Sequence, residues 1–502
     1  MAKNLNLTDY NVINTLVTEI EKSEERNRKA DAFDAWQIYS GNQYPYVLEE
    51  IKRTRPKSWK SYTISDVSVS KMITDKRSKA YKSQPKRSVS GNTTKSDALN
   101  NIYIQGDAPK QLQCFDTIFN CHKYSLMWVN WLVTEERYRF MALQPYEYSI
   151  VKDKDSGDLI AVILNYGNRD ITAGASSGDG TDDLIAESQA DSSANSKVYA
   201  MWSKDNYVVI KVESQKIQTA TGEQVKKSIT YVEQEENPNM ENKLGIIPFV
   251  FLSSESSVDY PTKNPLANQS VTYNALMSEG LTSANIQGTG VSVLSYPEEM
   301  ANKFKELSTG LTQTIRLPQS SNPNAKQTTF DYKSPSPALD SQQAVYTTYL
   351  KQILAEHGIT TSQGLTGGVD SYSSGLERAL ANADVQNIIE SNQDSYVQLE
   401  KSMFEIIKAW ENFKGSSPFS KDDELIVAFK KPKLMVTDSE TLANIEKMIM
   451  LGMIEKWEAL VLFDPNLTEQ QAKDKLKQIA QSKNEAMKGL MNGQNIEDDQ
   501  PE

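Results

Sequence analysis

The sequence predicts an α+β protein in which long helices flank one β-rich part, and three observations predict it. Apolar residues recur at helical spacing near the start, as in Ile13, Leu16, Val17 and Ile20. From Ser125 to Gly167 that spacing gives way to short apolar and aromatic runs broken by turn residues, the pattern of strands. After Asn264 helical spacing returns and dominates the rest of the chain.

The elements follow in order. Thr8 is placed to cap a first helix, which runs through a charged stretch past Phe33, Trp36 and Tyr39 and stops at Gly41. "SYTISDVSVSKMITDKRSKAY" reads as another helix after a polar start. "SLMWVNWLV", "YRFMALQP", "YEYSIVKD" and "LIAVILNYG" read as strands, as do "KVYAMWS", "NYVVIKV", "SITYVEQ" and "KLGIIPFVFL". Between the two sets lies residues 171 to 196, small, polar and nearly free of aromatics, and expected to be an exposed mobile insertion. Asn264 and Pro265 open a helix carrying Leu266, Tyr273, Met277, Leu281 and Ala284. A glycine-broken mixed segment follows it. Ser336 and Pro337 then open a second helix, with Tyr346, Leu350, Ile353 and Leu354 on one face, ending at Gly358.

"GITTSQGLTGGVDSYSSGLERAL" comes next, too rich in glycine and hydroxyls to be helix throughout. Its crowded glycines do not make a phosphate cradle, because no Lys and Ser or Thr follow the last of them at the start of a helix. Ser374 and Glu377 form a capping box, S-x-x-E, for a long helix whose stripe runs through Leu376, Leu380, Ala383, Tyr396, Leu399, Met403, Ile406 and Trp410. The strand "ELIVAFKKP", two final helices and the acidic tail "NIEDDQPE" complete the chain.

Composition limits the chemistry. The 502 residues hold two cysteines and two histidines. Cys114 and Cys121, seven residues apart on one helix, are about 10 Å apart, too far for a disulfide, and read as buried thiols. With His122 beside Cys121 and His357 far away, neither a metal site nor histidine-based acid–base catalysis has its residues. No metal, no cofactor and no catalytic group is expected. Carboxylate pairs exist, Glu135 with Glu136 and Asp182 with Asp183, but in strand-end and loop contexts where solvated acids are ordinary, so a carboxylate-based hydrolase is the weakest alternative. No leader-like or membrane-spanning apolar run is read, and no membrane partner is expected. The net charge of -12 argues against a protein that wraps nucleic acid tightly. Yet residues 52 to 87 carry twelve cations against Asp66 and Asp75, a solvated face, a contact to an acidic neighbour or a DNA contact.

Taken in order, "AWQIYSGN", "ALQPYEYSIVKDKDSGDLIAVILNYGN", "NKLGIIPFVFL", "NPLANQSVTYNALMSEG", "SSGLERAL" and "MIMLGMIEKWEALVLFDPNLTEQQAKDKLKQI" resemble portal proteins of tailed double-stranded DNA bacteriophages. Each motif is degenerate; it is their order over most of the chain that carries the resemblance, and the insertion at 171 to 196 has no counterpart in it. The resemblance implies a portal fold of wing, stem, clip and crown: a wing from 1 to 263 and from 374 to 435, stem helices at 264 to 286 and 336 to 358, a clip at 287 to 335, a tunnel loop at 359 to 373, and a crown at 436 to 502. It further implies a ring of identical protomers, a dodecamer, at one vertex of the virion capsid, assembled in the host cytoplasm, through which DNA is packaged and later ejected. Partners would be double-stranded DNA without sequence specificity, the large terminase packaging ATPase, the major capsid and scaffolding proteins, and the head-to-tail adaptor. Another virion structural or adaptor protein without a pore is the alternative.

By the same resemblance, DNA-channel positions are Lys351 on the second stem helix and Thr361, Gln363, Thr366, Gly367, Gly368, Asp370 and Tyr372 in the tunnel loop. Tyr296, Lys303, Lys305 and Arg316 would be clip positions facing motor or connector. Residues 359 to 373 hold no cation and one acid, so each loop would touch phosphate through hydroxyls and amides rather than grip it.

Overall fold

The computed structural model describes residues 5–133, 135–153, 155–167, 196–219, 222–232, 237–255, 260–261, 263–289, 291–295, 329–333, 339–359, 375–415, 417–429, 445–452, 454–463 and 469–493. The chain forms two compact units, residues 1–365 with 384–431, and residues 366–383 with 432–502.

The larger unit is layered, and the alternation of its strands shows why. Helices α1 (Tyr10–Ile20), α2 (Ser23–Ser40), α3 (Tyr44–Thr54) and α4 (Val69–Arg77) precede strand β1 (Lys86–Val89). Helices α5 (Thr93–Gln105) and α6 (Ala108–His122) then lead into β2 (Tyr124–Leu132), β3 (Arg137–Leu143), β4 (Tyr148–Lys152), β5 (Leu159–Gly167), β6 (Ser196–Trp202), β7 (Tyr207–Thr219), β8 (Gly222–Tyr231) and β9 (Phe249–Ser253). Strands β4 to β8 form an antiparallel meander, and β3, β2 and β9 form a second sheet.

One face of the meander, with Val162, Leu164, Val198, Ala200, Trp202 and Val209, packs on the second sheet through Leu126 and Phe249. Its other face, with Ile163, Tyr199, Met201, Val208 and Ile210, receives Ile13, Leu16, Val17 and Ile20 of α1. The second sheet turns Met127, Val129, Tyr138 and Phe140 toward the helical core. Successive side chains point to opposite faces, so near-continuous apolar runs such as Val162, Ile163 and Leu164 make each sheet apolar on both faces, which is what a buried layer requires.

Further helices and ribbons follow: α7 (Leu266–Thr289), β10 (Val291–Ser295), β11 (Thr329–Lys333), α8 (Leu339–Glu356), α9 (Gly375–Lys414) and β12 (Leu425–Ala428). β10 pairs with β11 and β12 with β1, both antiparallel. The smaller unit contains α10 (Lys456–Phe463) and α11 (Glu469–Gly493), which pack together and bury Ala459 and Ala472.

The fold class is as the sequence predicts, and the eight strands from Ser125 to Leu252 all form. Two local readings are corrected. The N-terminal helix is two, interrupted at Glu21 and Lys22, and its cap is Asp9, whose carboxylate accepts from the Asn11 N–H at 2.8 Å; Thr8 bonds Asn6 instead. It does stop at Gly41, left-handed at φ 98°. The helix read from Ser61 begins only at Val69, because residues 63 to 67 lie extended along α7. The mixed segment after α7 contains a β-ribbon, β10–β11, that the glycines obscured. Strands β5 and β6 pair directly, so the insertion is the connection between neighbouring antiparallel strands; residues 171 to 195 lie outside the described residues, as does Ser374 of the capping box.

Candidate functional site

The elements that the resemblance assigns to stem and loop start from α7. Asn264 caps it, its side-chain oxygen accepting from the Leu266 N–H at 3.2 Å while its amide donates to the Cys121 carbonyl at 2.9 Å, which fixes the helix on the end of α6. Leu281 is 40% exposed, so the apolar stripe read from the sequence is not the buried face along the whole helix. Ser270, Asn274, Ser278 and Thr282, spaced by four, are buried instead. They bind the extended strap: Thr282 accepts from the Thr63 N–H at 2.9 Å, Ser278 from Ser65 N–H at 2.8 Å, and Asn274 from Val67 N–H at 2.7 Å while donating back to the Val67 carbonyl. The strap's backbone groups are satisfied by α7's side chains in place of a partner strand. Serine, asparagine and threonine at a four-residue spacing were the available signal; searching for apolar periodicity alone passes over them.

Helix α8 packs on α7 and buries Leu350, Ile353 and Leu354, three of the four residues read as its face; Tyr346 is half-buried and lies close over Gly280. Its end is built as a Schellman motif. The Gly358 N–H donates to the Ala355 carbonyl at 3.0 Å and the Ile359 N–H to the Leu354 carbonyl at 2.8 Å, with Gly358 left-handed at φ 68°. Ile359 and Leu354 are both buried in the helical core. The chain therefore leaves α8 from a fixed root. His357, also buried, donates from Nε2 to the Gln269 Oε1 (3.0 Å), and its Nδ1 lies 3.4 Å from Arg77, while the Gln269 amide nitrogen donates to Glu356 at 2.6 Å. Burial, and then the Arg77 guanidinium, push the His357 pKa down to about 4, so the ring is neutral at pH 7.

Helix α9 is anchored by its own buried contacts. Tyr396, Leu399, Met403 and Ile406 are buried as the stripe predicts. Arg87 and Glu400, both buried, pair at 2.6 Å, and the Tyr103 hydroxyl donates to the same carboxylate at 2.8 Å. The Tyr396 hydroxyl donates to Asp116 at 2.7 Å, and Asp116 also accepts from the Ala80 N–H and from Asn120. Burial raises the Asp116 carboxyl to about 6 despite those bonds.

Of the residues picked from the sequence, Lys351 lies on the exposed face of α8. Thr361, Gln363, Thr366, Gly367, Gly368, Asp370 and Tyr372 lie outside the described residues, and so do Tyr296, Lys303, Lys305 and Arg316. The structure brackets the two groups, the first between Ile359 and Gly375 and the second between β10 and β11. The basic stretch divides. Arg87 and Arg77 turn inward, whereas Lys52, Arg53, Arg55, Lys57 and Lys60 are exposed. Both cysteines are unpaired on α6, Cys121 buried and Cys114 half-buried, and burial pushes the Cys121 thiol up to about 12. Glu135 pairs with Arg137 beside the β2–β3 turn. Among the described residues no group of three metal-ligating side chains gathers, and no helix is long and apolar enough to cross a membrane.

No family model and no curated protein matches the sequence. Solved structures are similar to it, among them a chain of the neck of an empty GTA particle, computed with C6 symmetry, at 9% identity and a TM-score of 0.42, over 83% of this chain and 93% of the other.

Proposed function

We propose that the chain is the protomer of a phage portal: a ring, a dodecamer, whose channel passes double-stranded DNA during packaging and ejection, without catalytic residues of its own. The observation that carries the reading is the path of the chain between α7 and α9. Two packed helices are joined through an antiparallel ribbon, the second ends in a buried Schellman root, and a glycine-rich stretch of sequence without cations follows before a helix of 40 residues begins. That sequence of parts matches stem, clip, stem, tunnel loop and wing helix in the order the resemblance implies. Its partners would be the large terminase, capsid and scaffolding proteins and a head-to-tail adaptor, and its place the virion vertex.

A loop without cations lets DNA slide, because affinity rises with each phosphate neutralised. Replacing Gln363 and Thr366 with lysine in every protomer adds two rings of cations. The expected result is tighter, salt-sensitive binding of duplex DNA by assembled rings and less DNA packaged per particle, with ring yield unchanged. Unchanged DNA binding and packaging would remove residues 359 to 373 from the channel.

A further inference from the structure

Two exposed features of the larger unit have complementary chemistry. The first is a knob where α3 ends. Trp59, in a short 3-10 turn, is half-buried and flanked by two ammonium groups, Lys52 at 4.7 Å and Lys60 at 5.7 Å from its ring. Arg53 pairs with Glu50 and Arg55 with Glu279, leaving Lys52, Lys57 and Lys60 without ion pairs among the described residues. The Arg55–Glu279 pair and the Thr63–Thr282 bond hold the knob beside α7.

The second is a groove of about 510 Å³ between α9 and β12. Val397, Val427 and Phe429 supply apolar lining, and Glu390 and Asp394, exposed and four residues apart on α9, supply two carboxylates with no ion pair among the described residues. An aromatic ring between two cations matches an apolar trough edged by two anions. An aromatic anchor at the centre with polar and charged groups at the rim is the usual anatomy of a protein interface.

We infer that the Trp59 knob of one protomer seats in the α9–β12 groove of a second copy of this chain, with Lys52 and Lys60 against Glu390 and Asp394. This rests on the ring reading above. Pairing two different patches of identical chains is a heterologous contact, the kind that closes into a ring when its rotation divides a full turn. A second copy is favoured over DNA because the groove offers an apolar trough as well as two carboxylates, matching Trp59 as well as its lysines, and because the chain's net charge of -12 leaves other copies rich in acidic surface.

Two full-length variants test it, Lys52→Glu with Lys60→Glu, and Glu390→Lys with Asp394→Lys, each checked by circular dichroism and thermal melting for an intact fold. Sedimentation velocity reads ring yield. Wild-type chain should assemble, and each variant alone should lose at least ten-fold in ring yield, because like charges then face each other. An equimolar mixture of the two should recover it, since every alternating contact regains opposite charges. Normal assembly of either variant, or loss without recovery on mixing, overturns the inference and leaves the ring reading standing. Normal rings of Lys52→Glu with Lys60→Glu that bind duplex DNA more weakly overturn it in favour of a DNA contact. Wild-type chain that never assembles overturns both.

Discussion

Helices α7 and α9 are both long and both anchored in the larger unit, yet opposite chemistry holds them. Along one face α7 offers only neutral groups, Ser270, Asn274, Ser278 and Thr282, to the backbone of residues 63 to 70. Helix α9 sits among aromatic rings and buried charges: Tyr396 on Asp116, Glu400 on Arg87 and Tyr103, Trp410 on the Val129 carbonyl. The difference concerns what each contact tolerates. A ladder of neutral hydrogen bonds is indifferent to pH and loses about 1 kcal/mol per rung. A buried ion pair is unforgiving when one partner is removed, because the other charge stays buried alone.

That contrast gives the largest expected effect to Glu400→Gln. Arg87 would keep its charge in a core where Glu400 is fully buried, and urea unfolding should show a loss of about 3–5 kcal/mol. A loss below about 1 kcal/mol would mean that water reaches the pair.

The second effect is in pH. The folded Asp116 carboxyl, about 6, stands above its ordinary 3.8, so the stability it contributes is complete below pH 3.8 and lost as pH rises through 6. His357 has the opposite sign, its neutral form being favoured, so its contribution is complete above 6.5 and lost as pH falls toward 4. Comparing wild type with Asp116→Asn cancels the histidine. The variant should gain on wild type by up to about 3 kcal/mol between pH 4 and 7, the two-unit shift at about 1.4 kcal/mol per unit. A pH-independent difference would contradict a buried, titrating Asp116. Variants of the α7 ladder should show no such slope.

Asn274→Ala is smaller. It removes the acceptor for the Val67 N–H and the Ser65 hydroxyl and the donor to the Val67 carbonyl, and should cost about 2 kcal/mol, with hydrogen exchange at Val67 speeding up. Unchanged exchange would show that the strap is held elsewhere. Smallest is Gly358→Ala, which places a side chain on a left-handed residue and 2.4 Å from the Ile388 methyl; about 1 kcal/mol is expected from thermal melting, and a gain would refute the Schellman root.

The same contrast marks what was legible in the sequence. Stripes such as Tyr396, Leu399 and Met403, and strands such as Leu159–Gly167, announce themselves because burial of apolar surface dictates their spacing. The α7 ladder does not, since serine and asparagine at four-residue spacing are equally at home in solvent. Nor does Arg87, which in sequence is one more cation in a basic run and in the fold is the partner of a residue 313 positions away. Of the site, Gly358 was readable as a helix stop, while the buried Ile359 beyond it and the polar root around His357 depend on tertiary contacts that no local pattern encodes.

The proposed ring is tested most directly by its rotational symmetry. Two-dimensional class averages of the purified full-length chain should show closed rings of identical protomers, twelve of them, around an open central hole wide enough for a DNA duplex. Monomers, open chains of protomers, or closed assemblies with no central hole would contradict it.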